Sequence, residues 1–300
     1  MSKPRIVVLM GGPDAERNIS IASGTAIANA LKKNHEFQTS LELIKTPTVK
    51  DLSEMQADVF FPALHGPFGE GGELQRLLEK TSVPFVGSNS IVAANAMDKI
   101  TSKEVAQDYG IPTPQWQVVN DANNINLQTP LVLKPIDDGS SFDIYICQHD
   151  RELREPLQKL LKQRKSVLAE SYKNGREITV GIVDRKVLPT IEIIPESGNY
   201  DFAAKYERDD TKYIINPPLR DELCVEWSVK IVEAMNIRDL ARVDFIVDDE
   251  GPWFLEVNTM PGFTDHSLLP KAAAHVGWDM TTLCSKLAKC ALTRESKIEF

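Results

Sequence analysis

ARVDFIVDDEGPWFLEVNTMPGFTDHSLLP, residues 241–270, reads as strand, turn, strand and loop. In the first run Ala241, Val243, Phe245 and Val247 alternate with Arg242, Asp244 and Ile246. In the second, Trp253, Leu255 and Val257 alternate with Phe254, Glu256 and Asn258. Alternation with period two marks strands with one buried face. Between the runs, Asp248-Asp249-Glu250-Gly251-Pro252 supplies acidic turn formers and a glycine able to take positive φ, so the two runs pair as a hairpin. With the apolar sets facing a core, Arg242, Asp244, Glu256 and Asn258 project together from the opposite face. Two carboxylates and an amide oxygen then converge. Hard oxygens without Cys or His suit Mg²⁺ or Mn²⁺ rather than Zn²⁺, the remaining positions being shared by water and substrate phosphates. The uncharged Asn258 and the Pro261-Gly262 turn after it fit such a site better than a solvated charged face.

At 300 residues the chain can bury a large core and divide into two or three domains. Its 42% hydrophobic and 26% charged residues are those of a globular protein, neither disordered nor fibrous. A formal charge of −9 and the lack of a basic block argue against a nucleic-acid surface, which must neutralise phosphates. The longest apolar runs, 6–10 and 59–64, are strand-sized, so no membrane partner is expected. Met1-Ser2-Lys3-Pro4 leads into a strand rather than a signal peptide, an expectation of a cytoplasmic protein. Cys147, Cys224, Cys284 and Cys290 show no CxxC spacing and are expected to be reduced, small hydrophobes.

Along the first third, strands at 5–10, 57–64 and 83–86 alternate with helices at 19–32 and 72–80, the pattern of a parallel sheet with crossover helices. A helix over 91–109 stops at Gly110-Ile111-Pro112. A small α+β module follows, with strand 131–135, a Gly-Ser loop, helix 151–163 and strand 166–170. Strands at 178–183 and 187–194 lead into a long polar connection, 196–218, of a length that is usually functional or mobile. Then come a helix at 220–235, the hairpin and a final helix from Thr281. The expected domains are an N-terminal α/β unit (1–90), a central unit (91–177) and a C-terminal unit (178–300) carrying the metal site.

Three other segments carry chemistry. Gly11-Gly12-Pro13-Asp14-Ala15-Glu16 lies at the carboxyl end of the first strand, where open α/β sheets place ligands. Lacking GxGxxG, it is no dinucleotide fingerprint. Glu16 could grip a substrate ammonium, or the segment could be a plain βα turn with an acidic first turn. In the loop from His65 to Gly72, four glycines and a proline suggest a backbone shaped for close approach, with His65 a scaffold rather than a base. Lys134 ends an apolar strand before Gly139-Ser140-Ser141, and a cation beside small residues with free N–H groups can cradle phosphates. No Walker A sequence and no GxSxG nucleophile elbow is present.

Taken in order, MGGPDAERNIS, FPALHGPFGEGGELQ, AMDKITSK, LVLKPIDDGSS, GREITVGI, DFAAKY, ARVDF and FLEVNTMPGFTDHSLLPKAA resemble the blocks of the D-alanine–D-alanine ligases of the ATP-grasp superfamily. The resemblance runs from Val8 to Gly277. It implies a three-domain ATP-grasp fold, α/β and α+β, with an N-terminal Rossmann-like parallel-sheet domain. It also implies ATP-dependent joining of two D-alanines through a D-alanyl phosphate, for peptidoglycan precursors, in a homodimer. By the same resemblance Glu16 holds the first substrate's ammonium and hydrogen-bonds with Ser140 and Tyr206, and His65 lies near that substrate. Lys99, Lys134 and Lys205 meet phosphates, while Glu170 and Glu177 hold adenine and ribose. Asp244, Glu256 and Asn258 bind two Mg²⁺ or Mn²⁺ ions bridged by Glu256. Arg242 and the Gly262 amide stabilise an oxyanion, and Ser267 meets the second substrate's carboxylate. Tyr206 goes with D-alanine rather than a hydroxy acid, and 196–218 becomes a lid that keeps water from the acyl phosphate.

Three positions depart from the family's pattern. Phe142-Asp143 replaces a glycine and adds a carboxylate beside the expected triphosphate, unfavourable where it faces the nucleotide. Gly71 stands where aspartate is common, and Ser171 where lysine is frequent near adenine. The rival readings are a ligase for other small amino acids and a catalytically silent nucleotide-binding paralogue.

Overall fold

The computed structural model describes residues 3–139, 143–196, 210–218 and 222–294, folded around three sheets. In the first, β1 (Arg5–Gly11) lies between β2 (Gln38–Ile44) and β3 (Val59–Pro62), all parallel, with Val8 opposite both Leu41 and Phe61. Ile6, Val7, Val8 and Leu9 are all fully buried, because both faces of the strand are covered. Helix α1 (Arg17–Lys33) crosses one face, and the short α2 (Val49–Glu54) precedes β3. The half-exposed edge strand β2, QTSLELI, is one that its mixed sequence did not announce. The expected strand at 83–86 is reduced to one parallel bridge, Phe60 to Phe85. The glycine-rich run holds a turn of helix, α3 (Gly66–Glu70), before α4 (Glu73–Glu79).

The single helix expected over 91–109 is two, α5 (Ser90–Met97) and α6 (Lys99–Asp108). Asp98 between them is extended, and its Oδ1 accepts from the Thr101 N–H at 2.8 Å. That is N-cap chemistry. It places Lys99 at the first position of α6, with its ammonium donating to the Asp138 carbonyl at 2.6 Å.

The central sheet orders β4 (Trp116–Val119), β7 (Val167–Ser171), β5 (Leu131–Lys134) and β6 (Tyr145–Cys147), all antiparallel. Helix α7 (Arg154–Gln163) covers one face, burying Leu157 and Leu160 against Leu133, Cys147, Val167 and Ala169. Strand parity then sends Val132, Lys134 and Glu170 to the opposite face.

That face looks onto the third sheet: β11 (Thr211–Ile215), β10 (Ile191–Pro195), β8 (Arg176–Val183), β12 (Leu240–Asp248) and β13 (Gly251–Asn258), with β9 (Lys186–Val187) on β8. Part of the long polar connection is thus strand β11, while residues 197–209 lie outside those described. Beneath the sheet packs α8 (Glu222–Ala234), with Cys224 and Ile231 against Val180 and Phe245. Two more helices follow, α9 (Leu268–His275) and α10 (Met280–Thr293). Helix α10 buries Leu283, Leu287 and Ala291 in the same core as Ile6, Val8 and Ile27 of the first sheet.

The hairpin departs from strict alternation. Asp244 pairs with Glu256 but Phe245 with Phe254, so Leu255 is an extra residue in a β-bulge. Phe254, not Leu255, joins the core, fully buried and edge-on to Phe245 at 6.1 Å between centroids. Leu255 turns to the other side.

Among the described residues no helix is long and apolar enough to cross a membrane, and all four cysteines are free thiols. Burial pushes the thiols of Cys284 and Cys290 up to about 12 and about 11, so both stay protonated and unreactive at neutral pH.

Candidate functional site

The hairpin register puts Arg242 opposite Asn258 and Asp244 opposite Glu256. Asp244 is almost completely buried, and Thr179 Oγ1 on β8 donates to its Oδ1 at 2.6 Å. The Arg242 guanidinium donates to both Asp244 oxygens, at 3.0 and 2.8 Å. A bidentate pair of this kind fixes the carboxylate's plane. Glu256 is more open, with Oε2 at 3.6 Å from the Lys99 ammonium. The Asn258 side-chain oxygen accepts from the Met260 N–H at 2.8 Å and starts the turn into Pro261-Gly262. The described residues contain no group of three or more His, Cys, Asp or Glu able to hold a metal. A cation here would use the Asp244 and Glu256 carboxylates, the Asn258 amide oxygen and oxygens of a bound phosphate. That donor set fits Mg²⁺, which keeps part of its shell for substrate and water.

Two cavities meet at this hairpin, and Glu256 lines both. The smaller, ≈ 70 Å³, is polar and lies between the loops of the first sheet and the end of β13. From the first sheet's side come Glu16, His65 and, at the start of α6, Lys99. Arg242, Asn258, Gly262 and Ser267 close it from the third sheet. Glu16 is 5% exposed, and its carboxylate sits where Cβ atoms added to Gly66 and Gly139 would come within 3.0 and 3.6 Å. Glycine at those positions gives the carboxylate its room, and Gly66 also takes φ +81, which disfavours other residues. A Cβ on Gly262 would lie 2.7 Å from Ser267 Oγ, so this glycine lets the loop close on that hydroxyl.

His65 is held at both ring nitrogens, by Ser23 Oγ at 3.2 Å and Glu70 Oε1 at 3.0 Å. Burial opposes a charge on the ring, but Glu70, with Glu16 beyond it, outweighs burial and raises the pKa above the ordinary histidine value. Both nitrogens are occupied, as in a scaffold. Ser23 Oγ also accepts from the Phe263 N–H at 3.2 Å, tying α1 to the loop that carries Gly262.

The larger cavity, ≈ 560 Å³, lies between the central and third sheets. Val132, Ile146, Ile194 and Leu255 give it apolar walls, and Lys134, Glu170, Glu177 and Asp244 give it polar points. Its size and mixed lining suit a nucleotide. All the expected site residues that are described therefore fall on one cavity or the other, while Ser140, Lys205 and Tyr206 lie outside the described residues.

The departures find local explanations. Asp143 takes φ +54, the left-handed region that aspartate tolerates better than most residues. Its carboxylate meets Arg164 Nη1 at 3.1 Å and Lys159 Nζ at 3.6 Å, and it lines neither cavity. Arg164 also pairs with Asp138, which lines the smaller cavity, so Arg164 and Lys159 together offset both carboxylates. At Gly71 a Cβ would strike the Pro67 carbonyl oxygen at 2.4 Å, which the tight α3 turn forbids. Ser171 lines the larger cavity, and Lys173, two residues on, stacks its ammonium on Trp253 at 3.4 Å from the ring centroid.

Sequence reasoning missed Lys103. It is fully buried on α6, with Nζ 2.8 Å from Glu170 Oε2 and donating to Thr113 Oγ1 at 2.6 Å. The signal was present: Lys99 and Lys103 are four residues apart in a helix and so share a face.

A family model described as D-ala D-ala ligase C-terminus matches residues 105–289, and one described as D-ala D-ala ligase N-terminus matches residues 38–88. The curated D-alanine--D-alanine ligase of Aquifex aeolicus is 41% identical over 290 residues, covering 94% of this chain and 98% of that protein. The crystal structure of the D-alanine--D-alanine ligase from Bacillus anthracis complexed with ATP superposes with a TM-score of 0.83 at 33% identity, covering 97% of this chain and 98% of the other. The VanG D-Ala:D-Ser ligase from Enterococcus faecalis superposes with a TM-score of 0.82 at 25% identity, covering 97% of this chain and all of the other.

Proposed function

The chain belongs to the D-alanine–D-alanine ligase family, and from that premise we propose that it joins two D-alanines into D-alanyl-D-alanine for the cell wall, driven by ATP cleavage to ADP and phosphate. The observation that carries the reading is the meeting of a small polar cavity and a nucleotide-sized one at Glu256.

The first D-alanine sits in the smaller cavity with its ammonium on Glu16, a buried carboxylate in that cavity's wall. Its own carboxylate then points toward Lys99 and Glu256, where the γ-phosphate arrives from the larger cavity. Attack of that carboxylate on the γ-phosphorus releases ADP and leaves an acyl phosphate, with Lys99 and Lys134 balancing phosphate charge. The amine of the second D-alanine attacks the acyl carbon. Arg242 and the Gly262 N–H face the oxyanion that forms, Ser267 holds the incoming carboxylate, and collapse expels phosphate. Glu177 and Glu170 hold ribose and adenine in the larger cavity. Asp244, Glu256 and Asn258 would hold two Mg²⁺ or Mn²⁺ ions with Glu256 shared, supplying charge neutralisation at the phosphates. We extend the proposal to the residues outside those described: Ser140 and Tyr206 hydrogen-bonded with Glu16, Lys205 on phosphate, and 196–218 as a lid. The working division is 1–90, 91–177 and 178–300, in a cytoplasmic homodimer.

The test is ADP release with Mg-ATP and D-alanine, beside D-serine, L-alanine, D-lactate and no acceptor, with products weighed by mass spectrometry. D-alanyl-D-alanine formed from D-alanine alone is the expected result. A mixed D-alanyl-D-serine product at comparable kcat/KM would move the substrate assignment, and ATP binding with no turnover would sink the activity.

A further inference from the structure

The larger cavity is backed by a buried cluster that the reaction just described does not use in full. Glu170 on β7 is 3% exposed and shares its carboxylate between two ammonium groups. Lys134, on the neighbouring strand β5, is 2.5 Å from Oε1. Lys103 is 2.8 Å from Oε2, off the line of a well-aimed hydrogen bond, so that contact is an ion pair. The two lysines differ in freedom. Lys134 lines the cavity, whereas Lys103 is fully buried and lines neither cavity. Lys103 is also pinned from behind, because Thr113 Oγ1 accepts from its Nζ at 2.6 Å and donates onward to the Phe254 carbonyl at 2.8 Å.

A nucleotide phosphate entering the cavity competes with Glu170 for Lys134. Without another cation, Glu170 would be left as a buried, unpaired carboxylate, and the lysine would stay where it is. We propose that Lys103 is the fixed counter-charge of Glu170 that releases Lys134 to the phosphates of ATP, a positioning residue for the nucleotide that touches no ligand itself. The cluster carries two positive charges and one negative, so one ammonium is in surplus before any phosphate binds. The titration behaviour agrees: burial, with Lys134's charge close by, pulls Lys103 down to about 8, while the two ammonium groups hold Glu170 at about 2 against burial. The same chain of contacts runs from α6 through Thr113 to β13, the strand that carries Glu256. Lys103 thereby links Glu170 to the hairpin strand through Thr113.

The proposal rests on the larger cavity being the seat of ATP, and the experiment separates the two. ATP dissociation constants and steady-state kinetics are measured for the full chain and for K134M, K103M, K103Q, E170Q and K103M/E170Q. Thermal melts establish that each is folded, and K103Q, which keeps a donor toward Thr113, serves if K103M does not fold. The expected result is a loss of ATP affinity of about tenfold or more in K103M and K103Q, carried in KM for ATP with kcat and KM for D-alanine nearly unchanged. In the E170Q background the same K103M change should cost less than about threefold, because no buried charge then holds Lys134. Equal losses in both backgrounds would mean a merely structural role and overturn the proposal, as would ATP affinity untouched by K103M. Unchanged ATP affinity in K134M would instead unseat the nucleotide from this cavity, and the proposal with it.

Discussion

Glu256 and Gly262 show how much hangs on single positions in the cleft. Glu256 is the one described residue of the hairpin that both cavities share, so its carboxylate lies where the two cavities meet. Gly262 matters for what it lacks. An added methyl would come 2.7 Å from Ser267 Oγ, so either that hydroxyl must turn aside or the loop must move away from it. Gly262→Ala is expected to leave the melting temperature close to the parent's and to lower kcat by about 10- to 100-fold, read by coupled ADP release. Parent-like turnover in that variant would mean that the methyl is accommodated without displacing Ser267 or the Gly262 amide. His65 gives a prediction in pH. Its pKa in the fold is raised, so its pairing with Glu70 contributes fully below the ordinary histidine value of about 6.5 and is lost as pH rises through the raised value. Glu70→Gln should cost about 1–3 kcal/mol at about pH 6 and progressively less at higher pH, measured by urea melts. A cost that does not change with pH would mean that the ring is neutral throughout. At this scale the sequence carried the residue types and their order, yet Lys103 passed unnoticed because its importance lies in what surrounds it.

Among the elements, two local irregularities aim the chemistry. The break at Asp98 turns one expected helix into two and starts α6 at Lys99, so Lys99 lines the smaller cavity and Lys103, one turn on, lies buried behind Glu170. Asp98→Ala removes the cap to Thr101 and should lower stability by about 1 kcal/mol in thermal melts. Because α6 carries both lysines, KM for ATP should rise in the same variant, and an unchanged KM would mean that the cap serves the helix alone. The bulge at Leu255 is the second irregularity. Period-two reading put Trp253 and Leu255 with the core, whereas the extra residue moves Phe254 inward and leaves Leu255 on the wall of the larger cavity. The pattern was legible on both sides of the bulge. It was not legible through it, because a bulge follows from twist and pairing between strands, which one strand's sequence does not encode.

Across the whole molecule, the last helix closes the fold onto its beginning. Leu287 of α10 is fully buried beside Ile6, Ile27 and Leu31, nearly the full length of the chain away. Leu287→Ala should destabilise the protein by about 2–5 kcal/mol. In denaturant melts one transition should shift as a whole, since the helix belongs to the same core as the first sheet. Separate transitions, with the first sheet unmoved, would contradict that shared core. The sequence by itself determined the parallel first sheet, the hairpin with its paired carboxylates, the family and the residue types of the site. These are local patterns and ordered motifs, which spacing along one chain is enough to carry. Tertiary structure alone decided the bulge that turns Leu255 outward. It also decided the compensation of Asp143 by Arg164 and Lys159, and the burial of Lys103 behind Glu170. Each of these depends on which distant segment lies alongside, and charge compensation and burial are properties of that neighbourhood rather than of the residue.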